Sequence, residues 1–204
     1  MHIQTMNRMS RRLRTQALSQ SNGAALELNV ELLKVRPKVW RRIVVSPEIS
    51  LDQLHQVLQV AMGWQNRHMH EFSFGDRTYG IPYPDDIDLA VDHAQKITLG
   101  EAVAGLESFV YRYDFGDGWE HRVRIGPASA AEPGTLAICL AGQNACPPED
   151  VGGADGYRHF VGAIADPKHK EHASLLRWHG GTFDPAAFDL AATNVALIAA
   201  LSRR

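Results

Sequence analysis

Cysteine is nearly absent from this 204-residue chain. The two present, Cys139 and Cys146, have no C-x-x-C spacing, which excludes a disulfide framework and a cysteine-ligated zinc finger. No apolar run approaches the roughly 18 residues that a membrane-spanning helix needs. Neither sign of charge dominates, with 21 basic and 23 acidic side chains and a formal net charge of −2, so the whole chain is not built as a polyanion binder. Glycine-rich phosphate loops of the GxxxxGK and GxGxxG types are missing, as are the GxSxG elbow and HExxH. Neither internal repeats nor low-complexity tracts occur. What remains is the composition of an ordinary globular chain, 45% hydrophobic and 22% charged, with the length of a single domain.

The charge is unevenly placed. Residues 1–25 carry Arg8, Arg11, Arg12 and Arg14 and no acid, which leaves 17 basic against 23 acidic side chains in the remainder. This start lacks the apolar core of a secretory signal and reads as a disordered basic arm ahead of one domain over 26–204. A mobile arm of four arginines can also touch nucleic acid, with salt-sensitive and sequence-independent contacts.

From Leu26 the period changes. Leu26, Leu28, Val30 and Leu32 alternate with Glu27, Asn29 and Glu31, as in a half-buried strand, and residues 39–45 read as its hairpin partner. Ser50 and Gln53 form a capping box for a helix whose stripe is Leu51, Leu54, Val57, Leu58, Ala61 and Met62, ended by Gly63. This is a β-β-α start. A strand over 68–74 turns at Gly75-Asp76 into a return at Thr78-Tyr79, and 81–98 reads as a surface loop. A short helix follows Thr98, with Glu101 in its capping box. Residues 109–115 and 119–125 form a second hairpin through Gly116-Asp117-Gly118. After a loop over 126–134 come a short strand at 136–140 and a Gly/Pro/acid-rich stretch at 142–156. Helices follow from Asp155 or Gly156 to Ala165, over 168–178, and from an Asp184-Pro185 cap to about Leu201. Strands come in hairpins and helices do not alternate with them. The expected class is α+β: a hairpin-built mixed or antiparallel sheet on a central helix, with helices at the C-terminus.

Period two also sorts the histidines. His68, His70, Phe72 and Phe74 fall on one face of their expected strand, and Trp119, His121, Val123 and Ile125 on one face of theirs. Imidazoles on such faces either bond backbone carbonyls at the rim of the core or serve as ligands. In the second reading His68 and His70 hold a divalent metal, completed by His121 or an acid from Glu149-Asp150. The string Cys146-Pro147-Pro148-Glu149-Asp150-Val151-Gly152-Gly153 presents those acids as ligands, as general acid and base, or as part of a stiff structural strap. Asp117-Gly118 reads as turn chemistry, and Asp114 as a solvated strand residue. Arg41-Arg42, a pair of basic residues beyond the arm, joins it as a nucleic-acid candidate. Trp40, Trp64, Tyr113 and Trp119 are candidate contacts for a ligand or protein partner, or simply core.

Several strings in fixed order resemble one family. They are Trp40-Arg41-Arg42, Leu54-His55, Met62-Gly63-Trp64, His68-x-His70-x-Phe72, Tyr111-x-Tyr113-Asp114-Phe115-Gly116-Asp117-x-Trp119-x-His121, the Cys146–Gly153 string, Gly156-Tyr157 and Phe183-Asp184-Pro185. Over about Leu26 to Asp189 the chain is similar to the plasmid pRi open-reading-frame-three-like family. Its members occur on plasmids and as insertion-element passengers, some with a resolvase-like (TnpR-like) label. The resemblance implies a compact α+β domain, without an established activity, that serves as a binding or accessory module of mobile elements. Gln143-Asn144 stands where the family often has a charged pair. The motifs hold no serine in an arginine-rich setting, so recombinase chemistry lacks its nucleophile. The alternatives are a metal-dependent hydrolase or nuclease built on His68, His70, His121, Glu149 and Asp150, and DNA contact through the arm. The chain is expected to be cytoplasmic.

Overall fold

The computed structural model describes residues 24–80, 97–130 and 134–202. Seven strands form one sheet: β1 (Ala24–Leu32), β2 (Trp40–Val45), β3 (His70–Phe74), β4 (Arg77–Gly80), β5 (Ser108–Tyr113), β6 (Trp119–Ala130) and β7 (Ala137–Gln143). Their order is β4-β3-β5-β6-β1-β2-β7, and every pairing is antiparallel. Five helices accompany the sheet among the described residues: α1 (Leu51–Met62), α2 (Leu99–Ala102), α3 (Gly153–Ala165), α4 (His172–His179) and α5 (Leu190–Leu201). The class is α+β, as the hairpin pattern implies.

The β-β-α start forms as its sequence dictates. Ser50 accepts from the Gln53 N–H while the Gln53 side chain accepts from the Ser50 N–H, and Gly63 closes α1 at φ 91°. The apolar stripe of α1 is buried against the sheet face that carries Leu28, Val30, Ile43, Phe72, Tyr111 and Val123. A second capping box, Thr98 with Glu101, starts α2.

Several boundaries differ from expectation, each for a local reason. His68 lies in the bend before β3, so period two does not reach it. β6 continues through 126–130, where a loop was expected. Leu26 faces Ala128 while Leu28 faces Ile125, so a bulge leaves Pro127 without a ladder bond that it could not donate. β7 likewise extends to Gln143 past a register shift opposite Arg42 and Ile43. α3 begins at Gly153, two or three residues early, and α4 at His172, later than expected.

The last helix does not start at Asp184-Pro185. Asp184 accepts from the Ala186 N–H in a turn, the Pro185 carbonyl takes the Ala145 N–H, and Phe188 lies under the Arg41 guanidinium at 4.0 Å. Docking of this segment delays α5 until Asp189, whose carboxylate accepts from the Ala192 N–H. The loop expected over 81–98 and the basic arm fall largely outside the described residues.

Candidate functional site

Arg41 and Arg42 are neighbours on a strand and point to opposite faces. Arg41 is buried and donates to the carbonyls of Ala61, Trp40, Gln143 and Asn144 at 2.7–3.0 Å. It clamps the end of α1 to β2 and β7, and burial lowers its pKa. Only Arg42 is exposed, so the two do not form a basic pair on the surface.

His70 and His121 enter the core. His70 stacks on His55 of α1 with ring centroids 3.5 Å apart and planes 6° off parallel. His55 Nε2 bonds Asn66 Oδ1, which only accepts, so that nitrogen carries the proton. Its Nδ1 then accepts from the Tyr111 hydroxyl, which itself accepts from Gln59. His121 donates from Nδ1 to the Tyr111 carbonyl and is fully buried. Burial, and for His70 also the neighbouring His55, pushes the pKa of both His70 and His121 down to about 3. Neutral rings can stack where imidazolium ions would repel.

His68 has different company. Its Nε2 lies 3.5 Å from Asp114 Oδ2, 3.9 Å from Glu149 Oε2 and 3.0 Å from Asp150 Oδ1. The nitrogen is nonetheless without a hydrogen-bond partner among the described residues, because the near Asp150 oxygen stands off its bonding direction. Donor atoms of His68, Asp114 and Glu149 all lie within 4.8 Å of one another. A cation with ligand distances of about 2.0–2.2 Å holds three donors about 3.3–3.8 Å apart, so side-chain movements of about 1 Å close the set around one ion.

The two carboxylates are each divided in role. Asp114 follows β5 at φ 54°, a left-handed conformation that aspartate tolerates. Its Oδ1 accepts from the N–H groups of Gly116 and Asp117, and Oδ2 is turned toward His68. Glu149 Oε1 accepts from the Gln65 N–H at 2.8 Å and the Tyr113 hydroxyl at 3.0 Å. Its Oε2 is buried and has no hydrogen-bond partner among the described residues. The Tyr113 hydroxyl also accepts from the Arg67 N–H, and burial foremost raises its pKa to about 12, so it remains a donor.

The proline-rich string places Glu149. The Trp64 indole donates to the Pro147 carbonyl, and Gly152 N–H donates to Asp117 Oδ2. At Gly153 a Cβ would come within 2.6 Å of the Asp117 carbonyl, so only glycine lets α3 approach the hairpin this closely. Of the residues singled out from sequence, His68, Glu149 and Asp150 are brought together, and His70 and His121 are not. Asp114 was missed as a site residue, and it is buried, not solvated. The Asp114-x-Gly116 spacing, which suits a carboxylate bonding its own turn, was the available signal.

Fold and cluster together define a class: an antiparallel α+β domain with a half-buried histidine–carboxylate cluster where a hairpin turn meets a proline-glycine strap. Residues 24–192 match the plasmid pRiA4b ORF-3-like protein family, and the chain belongs to that family. A relative, the uncharacterized protein y4hQ of Sinorhizobium fredii, is 43% identical over 178 residues, covering 86% of this chain and 91% of that one. The crystal structure of MM3350 from Methanosarcina mazei, a protein of unknown function, is similar with a TM-score of 0.74 at 29% identity. It covers 83% of this chain and 97% of its own.

Proposed function

We propose that this protein is a divalent-metal-binding module whose ligands are His68 Nε2, Asp114 Oδ2 and Glu149 Oε2. One observation carries the reading. The Glu149 side chain is 8% exposed and oriented through Oε1, yet among the described residues its Oε2 has no hydrogen-bond donor, and it lies beside His68 and Asp114. A buried charged oxygen without a partner is costly, by about 1–3 kcal/mol or more, and a cation shared with His68 and Asp114 offsets that cost. On this reading residues 26–204 act as one domain. The free thiols Cys139 and Cys146 support a reducing, cytoplasmic setting. Nucleic-acid contact through Arg8, Arg11, Arg12 and Arg14 is a separate proposal, tested by truncating residues 1–20.

The test is calorimetric titration of chelator-stripped full-length protein with Mn²⁺ and with Zn²⁺, paired with thermal melts. One equivalent should bind, and at a hundredfold excess over Kd the fold should gain about 2.7 kcal/mol. Glu149→Gln and His68→Ala should each abolish that gain. Wild-type protein that binds neither ion, or variants that bind as wild type does, would sink the reading.

A further inference from the structure

We infer that the metal centre is hydrolytic, with phosphodiesters as its substrate class and Asp150 as the group that takes the proton from the attacking water. This rests on the metal-binding reading above. Three protein ligands leave coordination positions open, which distinguishes catalytic from closed structural sites. The open side is the solvent side: Asp114 and Glu149 are each 8% exposed in their side chains, His68 is 28% exposed, and Asp150 is 56% exposed. Asp150 stands outside the set of three mutually close donors, yet its Oδ1 is 3.0 Å from His68 Nε2. It therefore borders the place where a water on the ion would face solvent.

Asp150 has φ 60°, where asparagine or glycine would be accommodated at least as well. Asp114 shares this conformation, so two of the five described non-glycine residues with positive φ belong to one cluster. Such conformations collect at functional sites.

Charge narrows the substrate. Asp114, Asp117, Glu149 and Asp150 bring four negative charges, a divalent cation two positive ones, and exposed Arg67 one more. Arg67 adjoins His68 and holds its guanidinium on Gln65, whose N–H bonds Glu149. Asp117 turns its carboxylate to the Gly152 N–H. A centre with about one net negative charge penalises the single charge of a phosphodiester less than the two of a monoester, and carboxylate-bound hard cations complete their shells with phosphate oxygens. In the reaction one water proton passes to Asp150 and the water oxygen bonds phosphorus. The P–O bond to the leaving group breaks with its electron pair on the departing oxygen, and Asp150 returns its proton to solvent.

Full-length protein loaded with Mn²⁺ is assayed with bis(p-nitrophenyl) phosphate, alongside Asp150→Asn and His68→Ala, with metal content measured on each. Asparagine suits φ 60°, so Asp150→Asn should fold. Support is turnover by the wild type, a loss of about 100-fold or more in Asp150→Asn with metal retained, and loss of both metal and turnover in His68→Ala. A loaded wild type without turnover, or Asp150→Asn at full rate, overturns the hydrolytic inference and leaves metal binding standing. Loss of metal from Asp150→Asn makes it a ligand and overturns its role as base. A wild type that binds no metal removes the underlying reading instead.

Discussion

At the scale of single residues, the informative feature is how each acid of the cluster divides its two oxygens. One oxygen of Asp114 and one of Glu149 are held by backbone N–H groups and the Tyr113 hydroxyl, and the other oxygen of each faces His68. Hydrogen bonds of this kind fix a carboxylate's direction before any ion arrives and typically change metal affinity by 10–100-fold when removed. Tyr113→Phe deletes one of these bonds and no ligand. Metal affinity should therefore fall by about tenfold or more, while the metal-free protein, in which the Arg67 N–H also loses its acceptor, loses about 1–3 kcal/mol. Titration calorimetry and urea unfolding of the stripped protein measure the two quantities separately. Equal affinity in the variant would mean that Tyr113 does not orient Glu149.

At the scale of elements, β7 is an edge strand, and α5 is apolar almost all round, with Val195 and Ile198 exposed. Among the described residues, a side chain of α5 bonds this edge. Asn194 of α5 accepts from the Cys139 N–H at 2.8 Å and donates to the Cys139 carbonyl at 2.9 Å, as a neighbouring strand would. Edges left open invite pairing with another chain. Asn194→Ala should cost about 1–2 kcal/mol and promote concentration-dependent self-association, read by light scattering after gel filtration. A variant that associates no more than the wild type at high concentration would show that the apolar flank of α5, and not the Asn194 bond, guards the edge. Elements were largely legible because capping boxes at Ser50 and Thr98 and period-two alternation are local. The start of α5 was not, because Arg41, 140 residues upstream of it and more, holds Phe188 through a contact that no local pattern encodes.

For the whole molecule, the buried neutral histidines set an acid limit. His121 titrates near 3 when folded and near 6.5 when unfolded, so between those values the unfolded chain holds the extra proton. Stability from this group is complete above about pH 6.5 and is lost as pH falls toward 3; from pH 7 to 5 the loss is about 2 kcal/mol. His55 and His70 act in the same direction. Unfolding of stripped protein in urea at pH 7, 6 and 5 should show this decline. Stability flat across that range would contradict a neutral buried His121.

Sequence alone determined the class of fold, the β-β-α start, both capping boxes and the strap that carries Glu149 and Asp150. Each of these depends on neighbours within a few residues, where propensity and periodicity act. Tertiary structure decided which histidine belongs to the acids. His68 precedes β3 and joins Glu149, 81 positions away, only because the β5–β6 turn and the proline strap meet there. His70, two residues on, points into the core against His55. The same placement turned Asp114 from a strand residue into a member of the cluster: its carboxylate is directed by the turn that Gly116 and Asp117 complete, and burial of that turn is a property of the assembled sheet.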